Sequence, residues 1–131
     1  MTPIRDEMIF VVDDDEAVRD SVRVLLEAYG MPVETYPSTE AFSNAYRPCA
    51  RQCLILDQHL REMKTGLDFL ASPEWAAMRL PVILITGRGD AAIKGRAADL
   101  GVSDYIDKPI DAGHLIAAIE RAAGTARRPH P

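Results

Sequence analysis

Cysteine is scarce in this chain: its 131 residues hold two, Cys49 and Cys53. A C-x-x-x-C pair with no further cysteine and no nearby histidine offers too few ligands for a closed zinc site. Both are read as reduced thiols, Cys53 on a buried strand. Long apolar runs are missing too. The longest, Met8-Ile9-Phe10-Val11-Val12, falls far short of the roughly 20 residues that span a bilayer. The start, Met1-Thr2-Pro3-Ile4-Arg5-Asp6-Glu7, lacks the basic residues and apolar stretch of a signal peptide, so the expected location is cytoplasmic, with no membrane partner. Positive charge is in deficit, 15 Lys and Arg against 20 Asp and Glu for a net −5. That argues against this domain gripping a nucleic-acid backbone, which takes Lys and Arg on phosphates. Arg127 and Arg128 make only the tail locally basic. Neither repeats nor low-complexity tracts occur, and 47% hydrophobic with 27% charged residues is an ordinary globular composition.

What is present is a regular alternation. Three short apolar runs, Met8–Val12, Cys53–Leu56 and Val82–Ile85, are too continuous to alternate in and out. They suit central strands buried on both faces. Weaker strands are expected at Val33–Tyr36 and Asp104–Asp107. Between them lie five helical patterns. The first carries Val18, Val22, Leu25, Leu26 and Tyr29 and stops at Gly30; the second runs from Pro37-Ser38 to about Tyr46. A third begins near Gly66 with Leu67 and Leu70. The fourth spans about Asp90 to Gly101 with Ile93, Ala97 and Leu100, and the fifth follows Asp111 with Leu115, Ile116, Ile119 and Ala123. Such alternation predicts a parallel α/β sheet with helices on both sides. Residues 1–124 form the expected domain, and 125–131 a tail or the start of a linker.

Polar residues fall at the ends of the apolar runs. The first ends in Asp13-Asp14-Asp15, the third strand in Asp57 and the fourth in Thr86, and the fifth is followed by Lys108-Pro109. Parallel α/β sheets bind ligands beyond the carboxyl ends of their strands. Crowded carboxylates there repel and raise one another's pKa unless a divalent cation neutralises them. Lys108 and Thr86 supply an ammonium and a hydroxyl for a phosphate oxygen. Asp57 is then the nucleophile of phosphoryl transfer, forming an acyl phosphate. Singly, each residue has a plainer role, Asp15 as a helix cap and the rest as turn residues. Their joint order favours chemistry.

These residues resemble those of two-component response regulator receiver domains over Met8–Ala123. Asp13 and Asp14 match the family's acidic pair, Asp57 its phosphoacceptor, Thr86 its hydroxyl residue and Lys108-Pro109 its Lys-Pro pair. The stretches Tyr36–Phe42 and Ile85–Asp90 are similar to receivers that precede helix-turn-helix DNA-binding domains. The resemblance implies a flavodoxin-like fold, five parallel strands in order 2-1-3-4-5 with five helices. It implies Mg²⁺ (or Mn²⁺) held by Asp14, Asp57 and the His59 backbone carbonyl, with Asp13 acting through water. It also implies a small residue at Gly87, a switch aromatic at Tyr105 and a cis bond at Pro109. Phosphorylation by a sensor histidine kinase, and self-dephosphorylation, would switch the face of the fourth helix, fifth strand and fifth helix. A phosphorylation-dependent homodimer through that face, from Ile93 to Ile119, is one consequence. Beyond this phosphotransfer, no enzymatic activity is expected.

Two departures stand out: Arg61 replaces the family's usual proline, and the Leu60–Thr65 loop is one residue longer. His59 and Arg88, each two residues past a key position, are candidates for tuning phosphoryl lifetime. Two rival readings exist. One is a haloacid-dehalogenase-like phosphatase with Asp13 as nucleophile, which leaves Asp57 and Lys108-Pro109 without a role. The other is a receiver-like interaction module that is never phosphorylated, which the full acidic set disfavours.

Overall fold

The computed structural model describes residues 7–60, 65–87 and 91–124. Five parallel strands form one sheet: β1 (Glu7–Val12), β2 (Val33–Tyr36), β3 (Arg51–Asp57), β4 (Val82–Thr86) and β5 (Asp104–Asp107), ordered β2-β1-β3-β4-β5. The helices are α1 (Glu16–Ala28), α2 (Thr39–Ala45), α3 (Gly66–Leu70), α4 (Pro73–Ala76), α5 (Ala91–Asp99) and α6 (Ala112–Ala123).

That is one helix more than the sequence pattern suggests. The expected third helix breaks after Leu70, because Pro73 disfavours helical backbone at Ser72. Ser72 then caps a new single turn, its hydroxyl accepting from Trp75 N at 3.3 Å and donating to Phe69 O at 2.6 Å. Both ends of α1 follow expectation, whereas Asp90, the expected start of the fourth helix, lies outside the described residues. Asp15 caps α1, its carboxylate accepting from Ala17 N at 2.9 Å. Beyond α1, Gly30 adopts φ +74°, a left-handed turn that lets Met31 N return to Leu26 O at 3.0 Å.

The strands read as continuous apolar runs because successive side chains enter opposite layers. Ile9, Val11, Cys53, Ile55, Ile83 and Ile85 pack towards Val22 and Leu26 of α1 and Leu115 and Ile119 of α6. Met8, Phe10, Val12, Leu54, Leu56 and Leu84 pack towards Phe42, Leu67, Phe69 and Ala97 on the other side. Phe42 is wholly buried among rings, with centroids of Phe10 at 5.3 Å, Tyr46 at 5.4 Å and Tyr36 at 5.7 Å. Cys53 lies inside the first layer, where burial pushes its thiol up to about 12, and neither cysteine is in a disulfide. Among the described residues, no helix is long and apolar enough to cross a membrane.

Strand register positions everything that follows. Val12 pairs with Leu56 and Asp57 with Ile85, so Asp13 and Asp57 emerge side by side at the sheet's carboxyl edge, with Thr86 one residue further along β4. Thr86 pairs with Asp107, which brings the next residue, Lys108, to the same edge.

Candidate functional site

Asp13 and Asp57 are buried, 4% and 3% exposed, and the Thr86 side chain is sealed off entirely. Asp14 is half-buried. Oxygens of Asp13, Asp14 and Asp57 all lie within 4.8 Å of one another. Lys108 reaches the cluster from β5, its Nζ 3.3 Å from Asp57 Oδ1 and 3.5 Å from Asp13 Oδ2. Its backbone N–H donates to Thr86 O at 2.7 Å, which ties the loop after β5 to the end of β4. The Lys108–Pro109 peptide is cis, as expected. The loop after β1 is held by Asp13 itself: Oδ1 accepts from Asp15 N at 2.9 Å, and its carbonyl accepts from Arg19 at 2.7 Å.

Electrostatics follow from this crowding. Burial, reinforced by the Asp13 charge, pushes the Asp57 carboxyl up to about 6, against the pull of Lys108. Burial also raises Asp13, partly offset by its hydrogen bond from Asp15 and by Lys108. For Lys108, burial alone would lower the ammonium, but Asp57 and Asp13 together outweigh it and hold its pKa above the ordinary value. The Lys108 ammonium thus stands against two of the three clustered carboxylates, Asp13 and Asp57. Asp57 Oδ1 is shut from solvent and faces the Lys108 ammonium at 3.3 Å. A hard divalent cation matches this all-oxygen set and its surplus negative charge.

The buried role of Gln58 and the close approach at Gly66 lacked a signal in the sequence. Gln58 is buried, and its side-chain oxygen accepts from Leu67 N at 2.9 Å. Gly66 N donates to Gln58 O at 3.1 Å, and a Cβ on Gly66 would stand 2.7 Å from Asp57 O. Glycine thus lets α3 start against the strand that bears Asp57. Only the helix-start position of Gly66 was legible; the close approach is tertiary.

A family model for the response regulator receiver domain matches residues 9–120. The chain belongs to this family. Receivers of this family are phosphorylated on an aspartate by a kinase, and this one is similar to known transcriptional regulators. It is 35% identical over 88% of its length to the transcriptional regulatory protein FixJ of Azorhizobium caulinodans. It is 34% identical over 90% of its length to the response regulator TodT of Pseudomonas putida. It covers 54% and 52% of those proteins, so the chain spans about half the length of the curated relatives it matches. Among solved structures, FixJ-N superposes with TM-score 0.78 at 31% identity, covering 96% of this chain and 100% of that one. The chemotaxis protein CheY4 of Vibrio cholerae, at 20% identity and TM-score 0.75, shares the fold, covering 90% of this receiver and 99% of that chain.

The receiver brings Asp13, Asp14, Asp57, Thr86 and Lys108 together at one edge, with His59 beside them. Exposed His59 has its Nε2 3.4 Å from Thr86 Oγ1. Gly87 borders open space, since a Cβ there would meet nothing within 4 Å. Tyr105 lies half-buried against the layer that contains Ala97, its hydroxyl shut off from solvent. Arg88 and Arg61, with the rest of the 61–64 loop, lie outside the described residues. The phosphatase reading leaves Asp57 without a role, whereas family membership supplies one for a receiver aspartate.

Proposed function

We propose that this receiver takes a phosphoryl group on Asp57 from a phosphohistidine of a sensor histidine kinase and later loses it to water. The observation that carries this is the buried Asp57 carboxylate at the end of β3, 3.3 Å from the Lys108 ammonium and inside a carboxylate cluster. A carboxylate oxygen of Asp57 forms the new bond to phosphorus while the phosphorus–nitrogen bond of the donor breaks. The transfer depends on positioning and charge compensation more than on covalent assistance. Lys108, already oriented by its backbone bond to Thr86, pairs with a transferred phosphoryl oxygen, and the Thr86 hydroxyl donates to another. Open space at Gly87 leaves room for the group. Asp13, Asp14, Asp57 and the His59 carbonyl would hold Mg²⁺ or Mn²⁺, which would neutralise the charge gathered there.

Hydrolysis of the acyl phosphate resets the receiver, with His59 and Arg88 controlling access of water. Movement of Thr86 towards the phosphoryl group governs Tyr105, and through it the face of α5, β5 and α6. That face then pairs with a second copy. The domain itself does not bind nucleic acid. Residues 125–131 serve as a tail or as the start of a linker. The setting is cytoplasmic.

Incubation with a small acyl-phosphate donor and Mg²⁺, read by intact mass, tests this reading. One phosphoryl should be added, require the metal and vanish in Asp57→Asn. A label that persists in that variant, or that disappears with Asp13→Asn while Asp57 is inert, overturns it.

A further inference from the structure

Gln58 directly follows the proposed phosphoacceptor and is buried, 5% exposed, although its side chain is polar. Three hydrogen bonds hold it. Its backbone N–H donates to Ile85 O on β4 at 2.8 Å, its carbonyl accepts from Gly66 N at 3.1 Å, and its side-chain oxygen accepts from Leu67 N at 2.9 Å. The last two donors are the opening amides of α3, groups that a helix leaves without intrahelical partners. The next, Asp68 N, goes to the Thr65 hydroxyl at 3.1 Å. The chain therefore leaves Gln58 at His59 and returns to the same residue at Gly66. The seven residues between, 59–65, contain no proline that would restrict the backbone from within, so the closure is made at the ends. At the departing end the His59 N–H donates to the Asp57 carboxylate, so the main chain of His59 lies against the cluster.

We infer that Gln58 is a positioning residue for the carboxylate site: by closing the 59–65 segment onto β3, its side-chain amide presets the His59 main chain for a divalent cation and tightens the binding of that cation. This rests on the reading above, in which the His59 carbonyl joins Asp13, Asp14 and Asp57 around the ion. A segment already closed loses less freedom when the ion binds, so more of the interaction shows as affinity. Removing the amide leaves the buried Leu67 N–H without its acceptor and weakens the tie of the returning end to β3.

Titration of the full chain with Mn²⁺, read by the EPR signal of the free ion, tests this. Gln58→Met keeps the side-chain length but offers Leu67 N–H no comparable acceptor, and should bind about tenfold more weakly than wild type. Thr65→Ala removes the other cap of the same helix; it should lower the urea midpoint too, yet bind within about twofold of wild type. Equal affinity in Gln58→Met and wild type overturns the inference. So does an equal loss in both variants, which would make the start of α3 the cause. Asp14→Asn separates this inference from the reading beneath it. If that variant binds as wild type does, the cluster does not hold the ion and both fail; if it loses binding that Gln58→Met retains, only the role of Gln58 fails. A second measurement needs no variant. By reciprocity, saturating Mg²⁺ should slow hydrogen exchange of the wild-type Leu67 amide by about the same tenfold, while the Asp68 amide, held by Thr65, changes little. An unchanged Leu67 rate overturns the inference even where Gln58→Met does not fold.

Discussion

Asp57→Asn should stabilise the metal-free protein, although it removes the residue on which the proposed function depends. The Asp57 carboxyl is raised from an ordinary 3.8 to about 6 by burial and by Asp13. Each pKa unit corresponds to about 1.4 kcal/mol, so the ionised carboxylate costs the fold up to about 3 kcal/mol at neutral pH. That cost is already net of the attraction of Lys108 at 3.3 Å, and an uncharged asparagine, whose amide still needs partners, should recover about 1–2 kcal/mol of it. The sign of the pH dependence follows from the direction of the shift. With the folded pKa above the unfolded one, the folded chain holds the proton more tightly, so wild-type stability falls as pH rises from about 4 through about 6. The advantage of Asn should therefore be small near pH 4 and full by pH 7.5. Urea unfolding in EDTA across that range measures it, and at pH 7.5 the gain corresponds to about 3–8 °C in Tm for a chain of this size. Millimolar Mg²⁺ should raise wild type and move the variant much less, because a ligand stabilises only the state that binds it. An Asn variant less stable than wild type in EDTA at pH 7.5, or a difference independent of pH, would refute the reasoning.

Gly66→Ala should lose about 1–3 kcal/mol, since its Cβ would press on Asp57 O at 2.7 Å, while Gly87→Ala, facing open space, should stay within about 1 kcal/mol of wild type. Chemical denaturation of the two variants side by side checks both. Lys108→Met should destabilise the metal-free chain by about 1–3 kcal/mol at pH 7.5, because Asp13 and Asp57 lose their ammonium. That loss should shrink on acidification towards pH 4 as the carboxylates protonate, which the same unfolding series would show. Phe42→Ala should cost about 3–5 kcal/mol, the penalty for emptying a fully buried ring site, measured as a fall in the urea midpoint at unchanged slope.

The strands and the edge they share were legible because burial on both faces writes itself as uninterrupted apolar runs. Met8–Val12, Cys53–Leu56 and Val82–Ile85 lie in the three central strands, β1, β3 and β4. Helix ends were legible where one residue controls the backbone, as Asp15 and Gly30 do for α1. The break between α3 and α4 was not read, although Ser72-Pro73 carried the signal, because Leu67 and Leu70 suggest a helix that runs on.

By its own pattern the chain determined which residues end the strands: Asp13 and Asp14, Asp57, Thr86, and Lys108 just beyond. Their types and order follow from local sequence, since a strand stops being apolar where its backbone leaves the core. Only the tertiary structure decided how these groups act on one another. Register sets Asp13 level with Asp57, and packing seals both from water and brings the Lys108 ammonium within 3.5 Å of each. The raised carboxyl of Asp57, the close approach of Gly66 and the reach of His59 to Thr86 all depend on distances between segments far apart in the chain. Such distances are set by the packing of the whole domain, and no stretch of sequence encodes them alone.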